Sequence, residues 1–134
     1  MKTAHTTVGF VFVAVFLATG VYMRLNFPEL HRNDGVMRLL FRSAHIYILF
    51  AALLNLVAGA HLRCRMQAWR YRVQVIGSIL LLVSPAIFTI AFFAEPAPQH
   101  FARPFVLSGV IIALAGTVLH VVSAFGDQTS NAQR

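Results

Sequence analysis

Four stretches of this chain contain no Asp, Glu, Lys or Arg: residues 3–23, 43–62, 73–94 and 104–126, with lengths of 21, 20, 22 and 23 residues. A helix rises about 1.5 Å per residue, so about 20 residues cross a hydrocarbon core of about 30 Å. Each run meets that length, and little of the 134 residues remains for anything else. The runs do not alternate in polarity, which argues against the segments of about 10 residues that build a membrane β-barrel. The expectation is an all-α fold, an integral membrane bundle of four transmembrane helices at about 5–24, 43–62, 73–94 and 104–125. Residues 1–134 then form a single membrane domain. A composition that is 58% hydrophobic and 11% charged, with a mean hydropathy of +0.72, agrees.

An even number of crossings puts both termini on one side, here called the terminal end, and the two outer connections at the far end. The first run follows Lys2 as a signal peptide would, but "ATGVYMRL" offers no small-x-small cleavage site, so a retained helix is expected. The 11 Lys and Arg residues behind the net charge of +7 divide almost evenly between the two ends. Lys2, Arg63, Arg65, Arg70, Arg72 and Arg134 fall at the terminal end, and Arg24, Arg32, Arg38, Arg42 and Arg103 at the far end. The dense "HLRCRMQAWRYRV" connection tips the balance toward cytoplasmic termini in a cytoplasmic (inner) membrane. Arginines at anionic headgroups account for the basic excess, and no nucleic-acid partner is implied. Trp69, Tyr71 and Tyr22 suit interfacial anchors.

The connections carry their own signals. Pro28 and "NDG" break regularity after helix 1, and "VMRLLFR" reads as a short amphipathic piece on the membrane surface before helix 2. Three prolines in "EPAPQHFARP" preclude a long helix between helices 3 and 4. Cys64 is the single cysteine, so no internal disulfide is available. The motifs of soluble-type hydrolases and nucleotide binders, such as HExxH, a P-loop or CxxC, are absent.

Small residues recur at helical spacing: Gly9 and Gly20 on helix 1, Gly77 and Ser84 on helix 3, and Gly109, Ala113 and Gly116 on helix 4. Close helix packing in lipid explains such stripes. A flat ligand lying against helix 4 is the alternative.

Polar side chains inside the runs are expensive and informative. Pro85 has no amide hydrogen, which deprives the Leu81 carbonyl of its helical donor. Asn55 on the antiparallel neighbour is the expected replacement, donating to that carbonyl or to Ser84. Six histidines are sorted by the topology. His5, His61 and His120 fall toward the terminal end, and His31, His45 and His100 toward the far end. His61 and His120 each lie 16 residues into helices that start at the far end, hence at matching depth. Two imidazoles so placed are what bis-histidine ligation of a b-type haem requires. Gly116 and Ala113 are candidates for the slot beneath the macrocycle, and Arg63 and Arg65 for its propionates.

At the far end, Arg42, His45, Glu95, His100 and Arg103 converge. An ion pair of Glu95 with Arg103 or Arg42, pinning the helix ends, is the structural reading. A polar mouth for a quinone or an anionic small molecule, or a Cu or Zn site on His45, His100 and Glu95, is the functional one. The expected functions are a haem electron carrier, an accessory or assembly subunit of a larger membrane complex, and a small-solute or proton pathway. The third is disfavoured because no carboxylate lies inside a run. A short chain in contact with the lipid bilayer also suggests a homo-oligomer or partner membrane subunits.

Overall fold

The computed structural model describes residues 1–30, 34–61, 67–95 and 103–124. They form four helices and, among the described residues, no strand: α1 (Lys2–Leu30), α2 (Gly35–His61), α3 (Ala68–Ala94) and α4 (Pro104–Ala124). All four are long and apolar enough to cross a membrane. Helix is the expected outcome for such runs, because it satisfies every backbone N–H and C=O within the segment where lipid offers no partner.

Three helices are longer than the uncharged runs. At 27 residues, α2 and α3 each extend about 40 Å, beyond the hydrocarbon thickness. Charge therefore marks where a helix leaves the apolar region, not where it ends. Two expectations are corrected by this. Pro28 does not break α1, which continues to Leu30; a proline in the last turn removes one hydrogen bond and leaves the preceding helix intact. Nor does "VMRLLFR" form a separate surface piece, since it is the first part of α2. Asp34 caps that helix, its Oδ1 accepting from the Met37 amide at 2.9 Å. The second turn then turns Phe41 inward, into contact with the rings of Phe27 at 5.0 Å and Phe92 at 5.1 Å.

Cross-helix contacts give the topology. Gly9 meets Leu56, Gly20 meets His45, and Phe27 meets Phe41, so α1 and α2 are antiparallel. Gly77 meets Gly116 and Phe88 meets Gly109, so α3 and α4 are antiparallel as well. Tyr47 stacks on Phe88 with centroids 5.3 Å apart, setting α2 against α3 in the same up-and-down order.

The two halves of the bundle pack differently. The far half is aromatic, with Phe27, Phe41, Phe88 and Phe92 around Ile48. The half nearer the termini is built from small and polar residues. A Cβ on Gly116 would stand 3.0 Å from the Gly77 carbonyl oxygen, and one on Gly77 would stand 3.0 Å from that of Gly116. The α3–α4 seam is thus backbone against backbone. The small-residue stripes serve helix packing inside the chain, as the first of their two readings expects.

Candidate functional site

The site begins with a proline. Pro85 lies inside α3 and frees the Leu81 carbonyl. Asn55 Nδ2 donates to that oxygen at 2.7 Å and to the Ala51 carbonyl at 2.9 Å, and the Ser84 hydroxyl adds a bond to Leu81 at 3.0 Å. The expected partnership of Asn55 and Pro85 is present in the structure.

Those two bonds fix the rest of the Asn55 amide. Both carbonyls only accept, so the amide nitrogen must face them and Oδ1 must face the other way. Oδ1 lies 2.7 Å from Nδ1 of His5 on α1. Since Oδ1 cannot donate, Nδ1 carries the hydrogen, and in the neutral ring Nε2 carries the lone pair. His5 is fully buried, and that Nε2 has no hydrogen-bond partner among the described residues. A buried acceptor left unpaired costs about 1–3 kcal/mol, which is unusual enough to require a reason.

Beside it is His120 of α4. The two ring centroids are 5.9 Å apart and the planes meet at 77°. His120 is tied to α3 through Nε2, 3.0 Å from the Ser78 hydroxyl. Four helices therefore contribute to one polar centre at the terminal end, through His5, Asn55, Ser78 and His120. The sequence places His5 at this end but does not single it out. Lying one turn beyond Lys2, it resembles an interfacial residue, and only the rotation of α1 against α2 turns it inward.

His120 also borders a groove of about 270 Å³. Val57, Ala58 and His61 line it on α2, Gln74 and Leu81 on α3, and His120 on α4. His61 and His120 thus share one groove, although His61 is exposed. His61 Nδ1 lies 3.1 Å from the Val57 carbonyl, one turn back. A carbonyl only accepts, so Nδ1 carries the hydrogen and Nε2 is left with the lone pair. Gly116 and Ala113 do not line this groove. Both are buried, Gly116 in the seam with α3, and the room that a porphyrin was expected to use beneath His120 is taken there by helix packing. Arg63 and Arg65 lie outside the described residues.

At the far end the expected cluster divides. Glu95, 8% exposed, accepts the Phe105 amide on Oε1 and the Val106 amide on Oε2 at 3.1 Å. It thereby caps α4 from outside that helix. Pro104, the first residue of α4, has no amide to satisfy, and the carboxylate sits against the positive end of the helix. Arg103 approaches Glu95 at 3.7 Å while its Nη1 donates to the Ser43 hydroxyl at 2.7 Å and its Nη2 to the Leu40 carbonyl at 3.4 Å. This is the Glu95–Arg103 pin of the structural reading, with α2 included. Arg42 is exposed and takes no part in these bonds. His45 turns to α1, its Nδ1 2.9 Å from the Thr19 hydroxyl and its ring stacked on Phe16 at 4.0 Å. His100 lies outside the described residues. No group of three or more potential metal ligands occurs among the described residues.

The site thus defines a four-helix membrane bundle with a histidine-rich polar centre near its terminal end. No protein-family model, curated protein or solved structure matches the chain.

Proposed function

We propose that this chain is a membrane electron-transfer protein whose groove between α2 and α4 would hold a b-type haem, with His61 and His120 as the residues that would ligate its iron. The observation that carries the reading is that one groove receives both imidazoles, from two helices. The His61 tautomer supports it, because an Nδ1–H bonded to a backbone carbonyl orients a ligating ring and leaves Nε2 basic. The haem, when bound, supplies a one-electron couple. The chain's own residues would hold and orient it: His61 and His120 as ligands, Ser78 as the group that positions His120, and Arg63 and Arg65 as propionate partners. Ligation through Nε2 of His120 requires Ser78 to release its bond, whereas ligation through Nδ1 preserves it.

Absorption spectroscopy of protein expressed with ample haem tests the reading. A Soret band should appear, with sharp α and β bands on dithionite reduction. His61→Ala and His120→Ala should each abolish the low-spin bands. A colourless protein with no haem by pyridine haemochrome assay would sink the proposal.

A second reading, an accessory subunit or homo-oligomer, rests on how little of two helices is covered. Within an apolar window of 18 residues, only 11% of α1 and 17% of α4 is buried inside the chain. Faces so open meet lipid or the helices of a partner, and co-purification from native membranes separates the two. For orientation we propose cytoplasmic termini, from the arginine connection. In a Cys64→Ser background, Ala68→Cys should resist an impermeant thiol reagent in intact cells while Pro98→Cys reacts. Equal labelling of both would contradict a single orientation.

A further inference from the structure

We propose that His5 and His120 form a two-coordinate site for a soft monovalent cation, Cu(I) or its analogue Ag(I). The site goes beyond the haem reading and stands on a different ligand, His5. Both draw on His120, so one copy of the chain holds either group and not both.

Donor chemistry comes first. His5 has its Nδ1–H committed to the Asn55 amide oxygen and its Nε2 lone pair bare in a fully buried position. A metal-ligating histidine is prepared in this way, one nitrogen held by a carbonyl so that the other is basic and correctly turned. Asn55 is itself fixed by the Leu81 and Ala51 carbonyls, so the orientation of His5 is set two bonds deep. His120 takes the matching arrangement in the tautomer whose Nε2–H donates to the Ser78 hydroxyl, which leaves the lone pair on Nδ1. Its Nε2 is held by Ser78, and its Nδ1 makes no hydrogen bond within the described residues.

Spacing is the second line. An imidazole nitrogen lies about 1.1 Å from its ring centroid and a metal–nitrogen bond is about 2.0 Å, so two rings bridged in line by one ion have centroids about 6.2 Å apart. The observed separation is 5.9 Å. The near-perpendicular planes, at 77°, place no restriction on a two-coordinate ion.

Ion identity follows from what is missing around the pair. Zn(II) favours four ligands, and among the described residues no third histidine, cysteine or carboxylate joins the two rings. Two neutral imidazoles contribute no countercharge, and the cost of burying an ion rises steeply with its charge. A monovalent d10 cation, content with two nitrogen ligands, meets both conditions. His120 borders the groove, which gives such an ion an approach to an otherwise closed site.

The test uses the full chain in detergent, free of haem and carrying Cys64→Ser so that no thiol competes. Silver nitrate is the probe. One Ag(I) per chain should bind by native mass spectrometry, and the 15N signals of His5 Nε2 and of a His120 ring nitrogen should move together. His5→Ala and His120→Ala should each lose the site, and Ser78→Ala should weaken it by about 10- to 100-fold. Binding that survives His5→Ala unchanged, or silver that moves neither set of 15N signals in the unmutated pair, overturns the proposal. The NMR arm needs no histidine variant, so a misfolded mutant does not decide the outcome. Absence of a Soret band in the haem experiment would leave this result unaffected.

Discussion

The two ends of the bundle bury polar side chains to opposite effect. At the far end, Glu95 accepts two backbone amides of α4 and faces Arg103, which in turn bonds Ser43 and Leu40 of α2. The carboxylate is answered from three directions. At the terminal end, Asn55 is equally well answered, but the chain of bonds that it starts stops at His5, where one nitrogen has no partner among the described residues. At the far end Arg103 Nε also makes no hydrogen bond among the described residues, but it faces the Glu95 carboxylate at 3.7 Å. A polar network that closes on an opposite charge describes a structural device. One that ends on a bare, oriented lone pair describes a place where something else binds, because natural interiors seldom leave such a group unpaired without a functional reason.

The largest expected effect breaks the far end. Glu95→Gln keeps much of the shape but removes the charge that faces Arg103 and weakens the cap on α4. Glu95→Ala removes both and leaves Arg103, itself mostly covered, without its carboxylate. Breaking a buried pair from one side costs about 3–5 kcal/mol. Thermal unfolding in detergent should therefore fall steeply for Glu95→Ala and by less for Glu95→Gln. If Glu95 were instead part of a binding mouth, its removal would leave the unfolding temperature near that of the wild type, and the contrast between the two ends would disappear.

How far the sequence discloses these two ends depends on the range of the physics involved. The four crossings are legible because length and absence of charge act locally along the chain. The link from Asn55 to Leu81 is legible for a similar reason: a proline removes a donor at a known position, whatever the tertiary structure, and an amide on the neighbouring helix is the natural remedy. The Glu95–Arg103 pair is legible from two opposite charges flanking one connection. His5 is not, because its burial depends on how α1 is rotated about its axis, and a helix with apolar residues on every face gives no sign of that rotation. Gly116 has the same ambiguity. A small residue permits close approach by a porphyrin or by another helix, and only the position of Gly77 opposite decides for the helix.

The smaller effect tests whether the terminal end is organised as described. Asn55→Leu leaves the Leu81 carbonyl with only the Ser84 hydroxyl and removes the acceptor that orients His5, for a loss of about 1–3 kcal/mol. Thr89→Val, which deletes a hydroxyl bond to the Pro85 carbonyl one turn beyond the proline, serves as the comparison and should cost less. The decisive variant is Pro85→Ala. An alanine there restores an amide hydrogen that can bond Leu81 within α3, so Leu81 no longer depends on Asn55. Combining it with Asn55→Leu should yield less destabilisation than the two changes added separately, by an amount that a double-mutant cycle reads directly. Strict additivity would show that Asn55 does not serve the proline's carbonyl, leaving the Ala51 carbonyl alone to turn the amide oxygen toward His5.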